Sequence, residues 1–194
     1  TFVGASPEIL VRHRGSEILS YALAGTAPKH GPNAWTKEQL LTDKKNLFEH
    51  NIVRDRIVNT MRQITPDVTV GETGIMELSH LYHLRTIITA KDSTKSLVEW
   101  AKLLHPTPAL GGEPREKALA LLQTYEAHER GMYAAPFGFM KDMGDGIVIV
   151  AIRSALIMDN VLYAYAGCGV VADSDADEEY AETNNKMRTI LDAL

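Results

Sequence analysis

Ala135-Pro136-Phe137-Gly138-Phe139-Met140-Lys141-Asp142-Met143-Gly144-Asp145-Gly146-Ile147-Val148-Ile149-Val150 sets strand-forming residues on both sides of a glycine-rich turn. Gly144 and Gly146 supply positions free to take positive φ, and the β-branched run after them suits a pleated surface. The apolar run continues to Met158, turns at Asp159-Asn160 and resumes at Val161. Residues 131–171 are therefore expected to form an antiparallel meander with strands over 135–141, 147–158 and 161–171. Upstream, residues 8–13 and 16–24 flank Arg14-Gly15 and read as a hairpin, ended by Ala24-Gly25-Thr26-Ala27-Pro28. Val68–Val70 and residues 75–90 add short strands. Helical periodicity starts at Thr42 or Asp43, a plausible cap, with Leu47, Ile52, Ile57, Val58 and Met61 on one stripe and Pro66 closing it. Further helices are predicted over Leu97–Leu104, 114–127 and 177–191. Strands and helices mix without regular βαβ alternation, so the predicted fold class is α+β, mostly antiparallel sheet or sandwich flanked by helices.

The rest of the composition narrows the class of protein. The chain has 194 residues, 45% of them apolar and 23% charged, which excludes a disordered or fibrous chain. No run approaches 18 uncharged apolar residues, so no membrane span is expected. The net charge of −5 argues against a nucleic-acid partner, which a basic face usually meets. A single cysteine, Cys168, excludes an internal disulfide and fits a reducing, cytoplasmic setting. Phe2-Val3-Gly4-Ala5-Ser6-Pro7-Glu8 reads as a strand running into a turn, with no preceding Met. Opening inside an element leads us to expect a trimmed protein.

Several residues stand out as carriers of chemistry. Residues 173–182 hold six carboxylates at a helix start, where the macrodipole alone favours acids. Spacing adds something: Glu179, Glu182 and Lys186 fall at i, i+3 and i+7 and share a helical face. Two acids followed by a lysine suit a hard cation with an anion beside it, and Mg²⁺ takes one or two carboxylates together with water and substrate. An ordinary i,i+4 pair between Glu182 and Lys186 explains the same spacing. Glu49 has Leu47, Phe48, Ile52 and Val53 around it, so it either snorkels to solvent or is held for a purpose. Its neighbour His50 reads as a structural histidine more than as a ligand. Glu8, beside Pro7, is either an exposed turn residue or a carboxyl in a partly dry pocket, where a raised pKa suits a general acid. Arg153, amid Val, Ile and Ala in an expected mid-strand position, needs a partner, and a carboxylate ligand or a structural acid would serve. Gly167 and Gly169 flank Cys168 in the next expected strand, where glycine marks a bulge or a close approach to something bound. Cys168 itself reads as a packed residue.

Taken together, these segments resemble the chorismate-binding enzymes, the superfamily of isochorismate, anthranilate, aminodeoxychorismate and salicylate synthases. The resemblance runs through Phe2 to Glu8, Ala24-Gly25-Thr26, Glu49-His50 with Val53-Arg54, and His105-Pro106-Thr107-Pro108-Ala109-Leu110-Gly111-Gly112. It continues through Glu129-Arg130-Gly131-Met132-Tyr133, Ala151-Ile152-Arg153-Ser154-Ala155, Ala166-Gly167-Cys168-Gly169-Val170-Val171, and Glu179 through Glu182 to Lys186. Residues 105–112 look most like the isochorismate synthases, particularly the menaquinone-pathway kind.

The resemblance implies a Mg²⁺-dependent isomerase that converts chorismate to isochorismate: water enters at C2, the double bonds shift and the C4 hydroxyl leaves. It implies Glu8 as the acid that protonates the departing hydroxyl. Glu49 and Glu182 resemble the carboxylates that reach the metal, directly or through water, with Glu179 in support. Tyr133, Arg153, Gly169 and Lys186 resemble groups that hold the substrate carboxylates. Gly25 and Thr26 resemble a backbone wall, and His83 a pocket histidine near the reacting ring. No glutaminase partner is implied, as it would be for an aminating synthase. Salicylate synthase, an anthranilate or aminodeoxychorismate synthase component, and a Mg²⁺- and ligand-binding piece without turnover remain alternatives. Whether menaquinone, siderophore or salicylate synthesis is served stays open.

Two departures bear on these expectations. The family often has an acid where this chain has Asn46, three residues before Glu49. Its isochorismate synthases also use a general-base lysine upstream of the Gly-Ala-Ser-Pro-Glu segment at which this chain opens. Residues 1–194 are thus expected to be one partial chorismate-binding domain lacking its N-terminal part, with little or no turnover alone. The sheet edge so exposed is a possible site of self-association.

Overall fold

Gly15 turns the first hairpin with a φ of 59°, joining β2 (Ile9–Arg14) to β3 (Glu17–Pro28). A short strand, β1 (Phe2–Gly4), precedes them. The computed structural model describes residues 1–193. In it β3 runs on through Gly25 to Pro28, four residues past the expected end, because a register shift between Leu23 and Thr26 absorbs the break in pairing with β6 (Leu81–Lys91). β4 (Val68–Val70) and β5 (Gly74–Glu77) also pair with β6, so the expected stretch 75–90 is two strands. On the other side, β2 pairs with β8 (Gly146–Val150) and β8 with β7 (Pro136–Met140). This seven-stranded antiparallel sheet has the order β4-β6-β3-β2-β8-β7, with β5 beside β6.

The expected strand over 147–158 is broken. After Val150 the chain turns through Ala151-Ile152-Arg153 and enters β9 (Ser154–Met158), which pairs with β1 and with β10 (Val161–Tyr165) in a separate three-stranded sheet. Arg153 has a φ of 51°, in the left-handed region that few side-chain-bearing residues adopt. Backbone bonds hold the corner: Ala134 and Ala151 share one of 2.8 Å, Ala151 donates to Ala135, and Ala5 donates to the Arg153 carbonyl at 3.0 Å. The predicted meander is therefore two hairpins in two sheets. β10 ends at Tyr165, which places Gly167, Cys168 and Gly169 in a loop and not in a strand.

The long helix α2 (Lys44–Arg62) starts at the expected cap, where the Asp43 carboxylate accepts from the Asn46 amide. α1 (Lys37–Thr42) precedes it, announced by a capping box between Thr36 and Gln39 that the periodicity argument passed over. α3 (Leu97–Leu104) and the single turn α4 (Pro108–Gly111) lead to α5 (Arg115–Tyr125). The last helix, α6 (Ala176–Leu191), is capped by Asp175.

α2 packs on β3 and β6, and α3 on β2 and β8. Leu10, Ile18 and Ala22 of the sheet meet Val53, Ile57 and Met61 of α2 and Leu97, Trp100 and Leu104 of α3 in one apolar cluster. Each Val, Leu, Ile or Met side chain so buried contributes about 1.5–3 kcal/mol. Among the described residues, no helix is long and apolar enough to cross a membrane.

Candidate active site

A cavity of about 500 Å³ lies where the end of β3, the N-terminal half of α2, the Arg153 corner and the loop after β10 converge. Glu8, Thr26, Glu49, His83, Tyr133, Arg153, Gly169 and Lys186 line it. These residues are spread from position 8 to position 186, and the fold brings them together. Gly25, Glu179 and Glu182 are not among the lining residues.

Glu8 enters from the turn before β2 and is 2% exposed. Burial pushes its carboxyl up to about 7, while the Thr107 hydroxyl, Arg153 and Lys186 oppose the rise. Thr107 is near enough to act on the carboxyl, yet among the described residues neither Glu8 Oε1 nor Thr107 Oγ1 completes a hydrogen bond. A protonated carboxyl with a free oxygen, facing a cavity, is a proton donor waiting for an acceptor.

Arg153 owes its position to the corner between the two sheets. It is 5% exposed, its Nη2 donates to His83 Nε2 at 2.9 Å, and its Nη1 is buried without a partner. A buried guanidinium nitrogen left unpaired in the chain marks a place for an anionic oxygen. His83 Nδ1 lies 2.9 Å from Thr26 Oγ1, and the Thr26 amide donates to Asn46 Oδ1 at 2.9 Å. Asn46 is itself fixed by Asp43 at 2.8 Å. So Asn46, the departure from the family pattern, is a wall-bracing residue. Gly25, at φ 79°, has no room for a side chain: a Cβ there would come within 2.9 Å of the Asn46 carbonyl.

The acidic end is built by α2 and α6. Burial, then the negative charge of Glu182, pushes the Glu49 carboxyl up to about 7, with Lys186 and Lys45 opposing. Gly169 makes the close approach possible, since a Cβ on it would fall 2.3 Å from Glu49 Oε1. Lys186 Nζ pairs with Glu182 at 2.5 Å and donates to the Gly167 carbonyl at 2.9 Å. The pairing expected from spacing therefore exists, but its side chains are only 13% and 15% exposed and its Lys186 lines the cavity, unlike an ordinary surface pair. Glu179 is bound by Lys45 and by the Ser174 hydroxyl at 2.7 Å. Burial raises its pKa, yet these partners outweigh burial and the net shift is downward.

Tyr133 stacks on Tyr165 with ring centroids 5.3 Å apart, and its hydroxyl reaches Gly167. His50, as expected, is structural: it is fully buried between the Ala24 carbonyl and Thr86 Oγ1, and burial brings it down to about 4. Burial and neighbouring acids push the Cys168 thiol up to about 11, leaving it a poor nucleophile.

Two contributors escaped the sequence argument. Lys45 is four residues before Glu49 on the same helical face, a signal that was available. Thr107 precedes the single-turn helix α4 as its N-cap, and only the folded chain brings it to Glu8. As to a cation, Glu49 and Glu182 offer hard oxygen donors that repel each other without one, which fits Mg²⁺. Among the described residues, no group of three or more His, Cys, Asp or Glu forms a ready-made metal cage. Water and a ligand would have to complete the coordination.

Comparison with known proteins bears on the family of the chain. The family model described as chorismate binding enzyme matches residues 1–194. The salicylate biosynthesis isochorismate synthase of Pseudomonas aeruginosa is 38% identical, over 100% of this chain and 42% of that protein. Anthranilate synthase component 1 of Arthrobacter globiformis is 34% identical, over 100% of this chain and 38% of that protein. The solved structure of the menaquinone-specific isochorismate synthase from Escherichia coli superposes with a TM-score of 0.85 at 32% identity, covering 98% of this chain and 46% of that one. The chain thus spans about half the length of the relatives it matches, and it belongs to the chorismate-binding enzyme family.

Proposed function

We propose that these residues form the acid, cation and anion-clamp side of an isochorismate synthase, an isomerase that moves the hydroxyl group of chorismate from C4 to C2. The observation that carries this reading is the presence of two buried, unpartnered groups on one cavity: Oε1 of the Glu8 carboxyl and Nη1 of Arg153. Arg153 and Lys186 bind and orient the carboxylates of the dianionic substrate, and Tyr133 flanks them. Glu8 gives its proton to the C4 oxygen, so that water leaves as a second water molecule adds at C2 and the ring double bonds shift. Gly25, Thr26 and Asn46 form the rigid wall against which the ring lies. Glu49 and Glu182, with Glu179 and Lys45 beside them, would hold Mg²⁺ through oxygen donors. When bound, Mg²⁺ supplies the positive charge that offsets these acids and draws in a carboxylate.

A cytoplasmic setting and the absence of a glutaminase partner belong to the same reading. So does a general base drawn from outside these 194 residues. Turnover of chorismate by the purified chain alone, at a rate typical of an enzyme, would overturn that division of labour. The direct test is calorimetric titration with chorismate, with and without Mg²⁺. Binding should require Mg²⁺ and should fall about tenfold or more in Glu182→Gln; equal binding by both proteins sinks the proposal. Similarity to an anthranilate synthase component favours an aminating alternative. Product chromatography of the active enzyme with and without ammonia separates isochorismate from anthranilate, and salicylate with released pyruvate identifies the third member of the set.

A further inference from the structure

We infer that His83 is a positioning residue that holds Arg153 and Thr26 in the orientation needed for an anionic ligand, a reading that rests on the clamp proposed above. A guanidinium only donates, so His83 Nε2, 2.9 Å from Arg153 Nη2, must carry the lone pair. The ring proton is then on Nδ1, 2.9 Å from Thr26 Oγ1, and the threonine oxygen must accept it. With its lone pair used in this way, the Thr26 hydroxyl turns its own hydrogen away from His83. Thr26 lines the cavity, so that hydrogen is available to a ligand oxygen. On the other side of the ring, Arg153 has one end held by His83 and the other, Nη1, left free and buried. One neutral histidine thereby makes both neighbours donors toward the same space.

An imidazolium does not fit this position. It would set an N–H against an N–H of Arg153, and it would add a third cation to Arg153 and Lys186 in a ring that is 3% exposed. Burial and those two cations hold the ring pKa well below its usual value, in agreement with the geometry. The β-sheet fixes the spacing, because His83 of β6 is in register with Thr26 of β3, immediately after the shift at Gly25.

The ring itself reports the answer. Long-range ¹H–¹⁵N correlation spectra of the ¹⁵N-labelled wild-type chain at pH 7 should show His83 as the Nδ1–H tautomer, its signals assigned by their loss in His83→Gln. An Nε2–H ring or an imidazolium would overturn the proposal without touching the functional reading. The second arm measures chorismate affinity in the presence of Mg²⁺. His83→Leu should lose about tenfold or more, and His83→Gln, whose carboxamide oxygen can accept from Arg153, should recover most of it. In an Arg153→Ala background the leucine substitution should cost clearly less than in the wild type, since only the part carried by Thr26 remains. Equal losses in both backgrounds would mean that His83 does not act through Arg153, and would sink the inference. Failure of the wild-type chain to bind chorismate would count against the functional reading, leaving the tautomer to decide the relay.

Discussion

A carboxyl sealed from water keeps its proton to higher pH, and Glu8 carries both the chemical use of that fact and its cost. With a folded pKa near 7 against 4.5 for a free side chain, the folded state binds the proton more tightly than the unfolded state. The Glu8 contribution to stability is therefore fully present below about pH 4.5, is lost as pH rises between about 4.5 and 7, and is absent above. Glu8→Gln should remove its share of that fall, stabilising the chain at pH 8 by on the order of 1–3 kcal/mol while changing little at pH 4.5. Urea midpoints at the two pH values check this; an unchanged difference between them would mean that folding does not raise the Glu8 pKa. Some slope should survive, because Glu49 is shifted in the same direction. At this scale the sequence was informative where spacing carried the signal. Glu179, Glu182 and Lys186 could be read as one face of a helix, and Glu8 could be suspected from its turn. The Thr107 approach to Glu8 and the His83 bridge to Arg153 were not legible, since each depends on a contact between elements remote in the chain.

The start of α2 shows how one element sets the site. The Asp43 carboxylate caps the helix through the Asn46 amide and also grips the Asn46 side chain. Asn46 in turn holds the Thr26 amide. Asp43→Ala should therefore cost about 1 kcal/mol of stability, measured by urea unfolding. Asp43→Ser, which keeps a cap, should restore most of it; a serine variant as unstable as the alanine one would show that capping is not the cause. Elements with strong local grammar were legible from sequence: the Gly15 hairpin, the capped α2, and α3 to the residue. The failure at 147–158 has a physical source. Ile147 to Met158 is apolar apart from Arg153 and Ser154, so periodicity sees one strand, whereas a left-handed residue at 153 divides it between two sheets. Nothing in the identity of an arginine announces positive φ. The stretch over 161–171 was overextended for a related reason, since Ala166 to Val171 are strand-compatible residues that follow the loop under α6.

Across the whole molecule, the cavity is held between a large sheet with a deep core and a small sheet with little core of its own. The main apolar cluster draws on β2, β3, β6, β8, α2 and α3, and no residue of β1, β9 or β10 belongs to it. β1 nevertheless pairs along β9, and the Ala5 amide binds the Arg153 carbonyl at 3.0 Å. Gly4 packs so closely on this corner that a Cβ would meet Ser154 Cβ at 2.9 Å. The first five residues thus brace the Arg153 corner and stand outside the cluster that stabilises the large sheet. Deleting residues 1–5 should separate the two roles. The unfolding transition followed by Trp100 fluorescence, a reporter fully buried in the main cluster, should shift by less than about 1 kcal/mol, the scale of surface changes away from a core. Chorismate affinity should fall about tenfold or more, because a left-handed arginine persists only while its surroundings hold it there. Equal affinity after the deletion would mean that the corner is set by β8 and β9 alone. Loss of the Trp100 transition would mean instead that the two sheets unfold as one unit and that their separation here is geometric and not energetic.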